Sequence, residues 1–114
     1  EFVRVKFPCE ITIHSPNRHI ISTYTKDISA GGVKLRIKEQ LTPNSMVELD
    51  LYGIGKNPIA CKGKVKWVSA KENSYSQDRL LYDIGIEFSQ IKKKDIFQIK
   101  KLVISLGSSG KKTV

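Results

Sequence analysis

Asp27, Ser29, Gly31 and Gly32 stand together in the run TKDISAGGVKL at residues 25–35. A carboxylate offers acceptor oxygens, a hydroxyl both donates and accepts, and glycine lets another group come close to the backbone. One reading is turn chemistry: Asp27 and Ser29 bond nearby backbone N–H groups while Gly31 or Gly32 supplies a positive φ before a strand. The other is a phosphate- or base-reading loop. In that reading Asp27 accepts from a donor-rich base edge such as guanine's, Ser29 donates to phosphate or base, and Gly32 leaves room for the ligand. The motif alone supports both.

Charge points toward an anion without choosing one. Twenty Lys and Arg against 11 Asp and Glu leave a net charge of +9, which suits nucleic acid, a nucleotide, a membrane surface or an acidic protein. A lysine-rich surface that only confers solubility is the plain alternative, because many lysines alternate singly along strand-like runs. Cys9 and Cys61 are too few and too far apart for a zinc knuckle or a disulfide framework. Both fall on apolar phases, so they read as buried thiols in a cytoplasmic protein. His14 and His19 flank a turn and read as surface residues, not metal ligands. Asp78 and Asp83 have no evident target. No nucleophile–base constellation supports catalysis, so the chain reads as a non-enzyme with no cofactor.

The elements that must carry these residues follow from periodicity. A chain of 114 residues is long enough for one core and too short for two. Val5, Phe7, Cys9, Ile11 and Ile13 alternate with polar residues, as one half-buried strand would, and Pro8 marks an edge or a bulge. A turn at HSPNRH leads to the β-branched run IISTYTK, and Val33, Leu35 and Ile37 continue the alternation after the glycines. MVELDLYG, ACKGKVKWVSA and LLYDIGIEF complete six strands, with KENSYSQDR as an exposed hairpin loop. Trp67 shares the phase of Val65, which predicts a core position, opposite the Lys62, Lys64 and Lys66 face. Arg36 lies on the outward phase, as solvated surface or as an assisting charge.

From residue 92 the period changes. Ile96, Ile99, Leu102, Val103 and Leu106 recur at spacings of three and four, the stripe of a helix over about 92–106, ending near Gly107. The predicted organisation is a barrel over about 3–89, that helix, and a flexible tail at 107–114. No run is apolar and long enough to span a bilayer. Because it starts at Glu1, the chain reads as a piece of a longer protein or one without its leader.

Together, FVRVKFPCEI, DISAGG, GKVKW, YDIGIEF and the helix resemble the PilZ domain over residues 1 to about 106. The resemblance implies an all-β fold, a six-stranded antiparallel barrel followed by one C-terminal helix, and a receptor for the bacterial second messenger cyclic di-GMP. The family's (D/N)xSxxG motif is matched by Asp27, Ser29 and Gly32. Its RxxxR motif is matched only by Arg4, the second arginine; the first would stand just before Glu1. Arg4 would then contact phosphate or stack on guanine, Asp27 would accept from a guanine edge, Ser29 would donate, and Gly31 and Gly32 would permit close approach, with Trp67 as a less certain flank. The implied partners are cyclic di-GMP and an effector protein or neighbouring domain. A PilZ-like adaptor that binds protein and no nucleotide is the second reading. The third is a small basic barrel binding single-stranded nucleic acid through its lysine face, which lacks interleaved aromatics.

Overall fold

The computed structural model describes residues 2–72 and 80–111. Seven strands and one helix follow in order: β1 (Val5–Lys6), β2 (Glu10–His14), β3 (Ile20–Ser29), β4 (Gly32–Ile37), β5 (Met46–Tyr52), β6 (Ile59–Glu72), β7 (Leu80–Gln90) and α1 (Lys93–Lys111). All pairings are antiparallel, in the order β1-β3-β2-β5-β6-β7-β4, and a β3–β4 pairing closes β2 to β7 into a six-stranded barrel. Closure removes the unpaired edges that an open sheet of this kind would present.

Alternation works because one face of each strand turns inward. Ile11, Ile13, Ile28, Val33, Leu35, Leu49, Leu51, Val65, Ile84 and Ile86 are fully buried and form one continuous core. The helix covers it with Ile99 and Val103, and α1 packs against β1 and β3. Phe97 and Ile104, off that stripe, face outward.

β3 divides its partners along its length. Ile20–Tyr24 pair with β2, whereas Thr25 and Asp27–Ser29 pair with β4, interrupted by a bulge at Lys26. The far part of β3 also takes β1, through Val5 opposite Ile28 and Lys6 opposite Asp27. The expected single N-terminal strand is therefore two. Pro8 cannot donate to a ladder, and the chain breaks at Phe7–Cys9. Buried Thr25 staples the break: its hydroxyl donates to Phe7 O at 2.7 Å and accepts from Cys9 N at 3.0 Å. This bend sends the N-terminal segment past Asp27.

Other expectations are corrected. The helix runs through Gly107 to Lys111 instead of ending near 106; a glycine inside a helix costs about 1 kcal/mol, which is not enough to stop it. The expected tail is thus helical up to Lys111, and residues 112–114 lie outside the described residues. Of the expected loop at KENSYSQDR, Lys71 and Glu72 belong to β6 instead; residues 73–79, Asp78 among them, lie outside the described residues.

Candidate ligand-binding site

The motif is built on a strand end and a tight hairpin. Asp27, Ile28 and Ser29 complete β3, and Ser29 pairs with Gly32 across a turn made by Ala30 and Gly31. Ser29 is buried, and its hydroxyl serves the hairpin: it accepts from Gly31 N at 3.1 Å and donates to Gly32 O at 3.4 Å. Neither Gly31 nor Gly32 takes the positive φ expected of a turn glycine; among the described glycines only Gly53 does. The room at Gly32 is taken by the barrel itself, since a Cβ there would lie 2.1 Å from the Ile86 carbonyl oxygen. Its missing side chain lets β4 close on β7. At Gly31 a Cβ would instead lie 2.3 Å from the ring of Phe2, so an aromatic side chain is laid over bare backbone.

Arg4 arrives from the segment that Thr25 and β1 steer along β3. Its Nη1 donates to Asp27 Oδ1 at 2.5 Å. Residues 23 positions apart in sequence are thereby joined, and Arg4, though not Asp27, lines a cleft of about 350 Å³ together with Phe2, Ser29, Gly31, Lys66, Trp67, Gly85, Ile86 and Glu87. A larger cleft of about 600 Å³ opens near the β2–β3 turn, among His14, Arg18, Met46 and Lys62. It gathers none of the motif residues.

Trp67 is not in the core. A register shift between Val65 and Trp67 inserts Lys66 as an extra residue, which reverses the phase, as a bulge does. The indole lies on the outside, 43% exposed, seated over Gly85, where a Cβ would be 2.3 Å from Nε1. Lys34 Nζ stands 5.9 Å from the ring centroid, and Lys66 Nζ is 3.8 Å from Glu87 Oε1. The cleft thus combines one guanidinium, the Lys66 ammonium with its Glu87 partner, and two aromatic rings, with the Lys34 ammonium beside Trp67.

Arg36 is not free surface. Its Nε and Nη2 donate to Asp83 Oδ1 and Oδ2 at 2.6 and 3.1 Å, a two-pronged pair across neighbouring strands. Asp83, 5% exposed, is held below the ordinary carboxylate range chiefly by these hydrogen bonds, against the opposing effect of burial. Sequence reasoning missed this pair, and also the His14 Nε2 to Asp50 Oδ2 contact at 3.1 Å. Strand register was the signal: Arg36 lies opposite Asp83, and Thr12, two residues before His14, lies opposite Asp50. Burial pushes the Cys9 thiol up to about 11 and the Cys61 thiol up to about 12. Among the described residues no cluster of three or more His, Cys, Asp or Glu could hold a metal. None of the helices there is long and apolar enough to cross a membrane.

The family model for the PilZ domain matches residues 1–105. No curated protein sequence matches the chain. Among solved structures, it is similar to the Bacillus subtilis inhibitor of motility (MotI/DgrA), with 17% identity and a TM-score of 0.75, covering 100% of this chain and 53% of that one. It is also similar to the K. pneumonia MrkH–c-di-GMP complex, with 22% identity and a TM-score of 0.75, covering 100% of this chain and 55% of that one. The PilZ domain with c-di-GMP of YcgR from Escherichia coli shares 10% identity and a TM-score of 0.73, over 97% of this chain and 93% of that one. The chain spans about half the length of MotI/DgrA and MrkH. At these identities the likenesses establish the shared barrel and helix.

Proposed function

The chain belongs to the PilZ domain family, and on that premise we propose that it is a receptor module for cyclic di-GMP that acts by binding and not by catalysis. The observation that carries the reading is the Arg4–Asp27 pair at 2.5 Å. It joins the arginine that matches one motif to the acid of the other beside a cleft of nucleotide-accepting chemistry. MrkH and the YcgR domain, similar in fold, are solved with c-di-GMP.

In this reading the ligand exchanges partners with the pair. Guanine's ring N–H and amine donate to the Asp27 carboxylate, which frees the Arg4 fork for phosphate, a bidentate acceptor, or for the base plane. Ser29 keeps the hairpin in shape and Gly31 keeps the floor low. Trp67 flanks the ligand, while Lys34 and Lys66 add positive potential. Exchange at Asp27 moves Arg4, and with it the segment leading into β1, which lies against α1. Occupancy is thereby passed to the surface that a neighbouring domain or effector protein reads.

Calorimetric titration with cyclic di-GMP, beside cyclic GMP and cyclic di-AMP as controls, tests the reading. Saturable binding selective for cyclic di-GMP is expected; heats no larger for it than for the controls would refute it. A second reading, a protein-binding adaptor that takes no nucleotide, draws on the outward helix face. There Phe97 and Ile104 are 62% and 66% exposed, with Lys101 Nζ 5.6 Å from the Phe97 ring. The same titration separates the two.

A further inference from the structure

We propose that Phe2 is a base-stacking residue of the site, its ring offering its outer face to one guanine of the ligand. The inference rests on the receptor reading and adds a residue that neither motif contains.

Two aromatic rings lie over glycines on this side of the barrel, Phe2 over Gly31 and Trp67 over Gly85. A Cβ at Gly31 would fall 2.3, 2.6 and 3.1 Å from three atoms of the Phe2 ring. Contact with several ring atoms from one side means that the ring is laid on the backbone and not met at its tip. Phe2 is nonetheless 59% exposed and lines the cleft, so much of the residue remains accessible there. The two rings differ in charge environment. Trp67 carries the Lys34 ammonium over its ring, whereas no cation is placed over Phe2 among the described residues. An uncovered aromatic face, two residues from the Arg4 guanidinium, suits a neutral planar base attached to a phosphate. Every base has a π-face, and such stacking is worth enough to change affinity by about tenfold or more.

The position also explains why Gly31 is glycine although its φ does not require it. A side chain there would lift the ring off its seat. The lysine face of the third sequence reading lacks this pairing, because its aromatic neighbour Trp67 is already engaged by Lys34.

Calorimetric titration with cyclic di-GMP of the unsubstituted chain, Phe2→Ala, Phe2→Leu, Phe2→Trp and Asp27→Ala tests this. The expected result is a loss of affinity of about tenfold or more in both Phe2→Ala and Phe2→Leu, with Phe2→Trp within about threefold of the unsubstituted chain or tighter. Leucine keeps apolar cover and removes the π-face, so it separates stacking from simple burial. The chain has one tryptophan, so Phe2→Trp combined with Trp67→Phe carries its sole indole at position 2, and its fluorescence should be quenched on binding. If Phe2→Ala or Phe2→Leu stays within about threefold while Asp27→Ala loses binding, the receptor reading stands and the stacking role falls. Tighter binding by Phe2→Ala also overturns it, because the ring would then obstruct the site. If the unsubstituted chain does not bind, the receptor reading itself falls and this inference falls with it.

Discussion

Arg4 Nη1 lies 2.5 Å from Asp27 Oδ1, so the two charged residues of the proposed site are partners of each other. A ligand that uses both either exchanges with that bond or takes Asp27 Oδ2 and the Arg4 N–H groups that the bond leaves over.

Arg4→Ala and Asp27→Ala should each weaken cyclic di-GMP binding by about 10- to 150-fold, the range for losing a hydrogen bond to a charged group. Stability should change by about 1 kcal/mol, because Arg4 is half-exposed and only Asp27 is largely covered. Titration combined with thermal unfolding checks both halves. Undiminished affinity in both variants would move the site elsewhere.

Gly32→Ala and Gly31→Ala should behave differently although the glycines are adjacent. The first drives a methyl group into the Ile86 carbonyl oxygen, which is backbone of the partner strand, and should cost about 1–3 kcal/mol or more. The second meets only the Phe2 side chain, which can swing away. Urea unfolding of the two variants reads the difference; equal midpoints would deny the close β4–β7 approach.

Arg36→Ala should destabilise the fold by about 1–3 kcal/mol, since it leaves a buried carboxylate short of donors. The pair also sets a pH dependence. Asp83 is held below its unfolded value by Arg36, so its contribution is complete above about pH 4. That contribution is lost as pH falls from there through the folded value. Asp83→Asn should lose less stability than the unsubstituted chain between pH 5 and pH 2, as measured by denaturant unfolding, and identical slopes would remove Asp83 from the account.

Cys9 and Cys61, raised to about 11 and about 12 by burial, should be almost wholly protonated at neutral pH. Thiolate is the reactive form, so alkylation by iodoacetamide at pH 8 should be slow in the folded chain and fast in denaturant. Sign runs opposite to Asp83: this contribution is present below about pH 9 and fades as pH rises through the folded values. Rapid labelling under native conditions would contradict it.

The barrel was legible because alternation is a direct image of one-sided burial, and residues such as Ile11, Ile13, Leu49 and Leu51 obey it without exception. The helix was legible for the same reason at its own period. Trp67 was misplaced because one inserted residue, Lys66, reverses every phase after it, and no proline or glycine marks that bulge. Pro8 announced a break, but the hydroxyl that holds the break together comes from Thr25, on another strand. The Arg36–Asp83 pair spans 47 positions, so register had to be known before the partner could be. At the site, Asp27 and Arg4 were legible together through the two motifs of the family resemblance; Phe2 has no motif letter, and its place over Gly31 emerges only when the N-terminal segment is folded across the hairpin.

β1 holds that segment with just two residues, Val5 and Lys6. Their amide protons should trade with solvent through a small local opening, long before those of β2, whose neighbours flank it on both sides. The door of this domain therefore hangs on its weakest hinge, and it can swing while the walls stay standing.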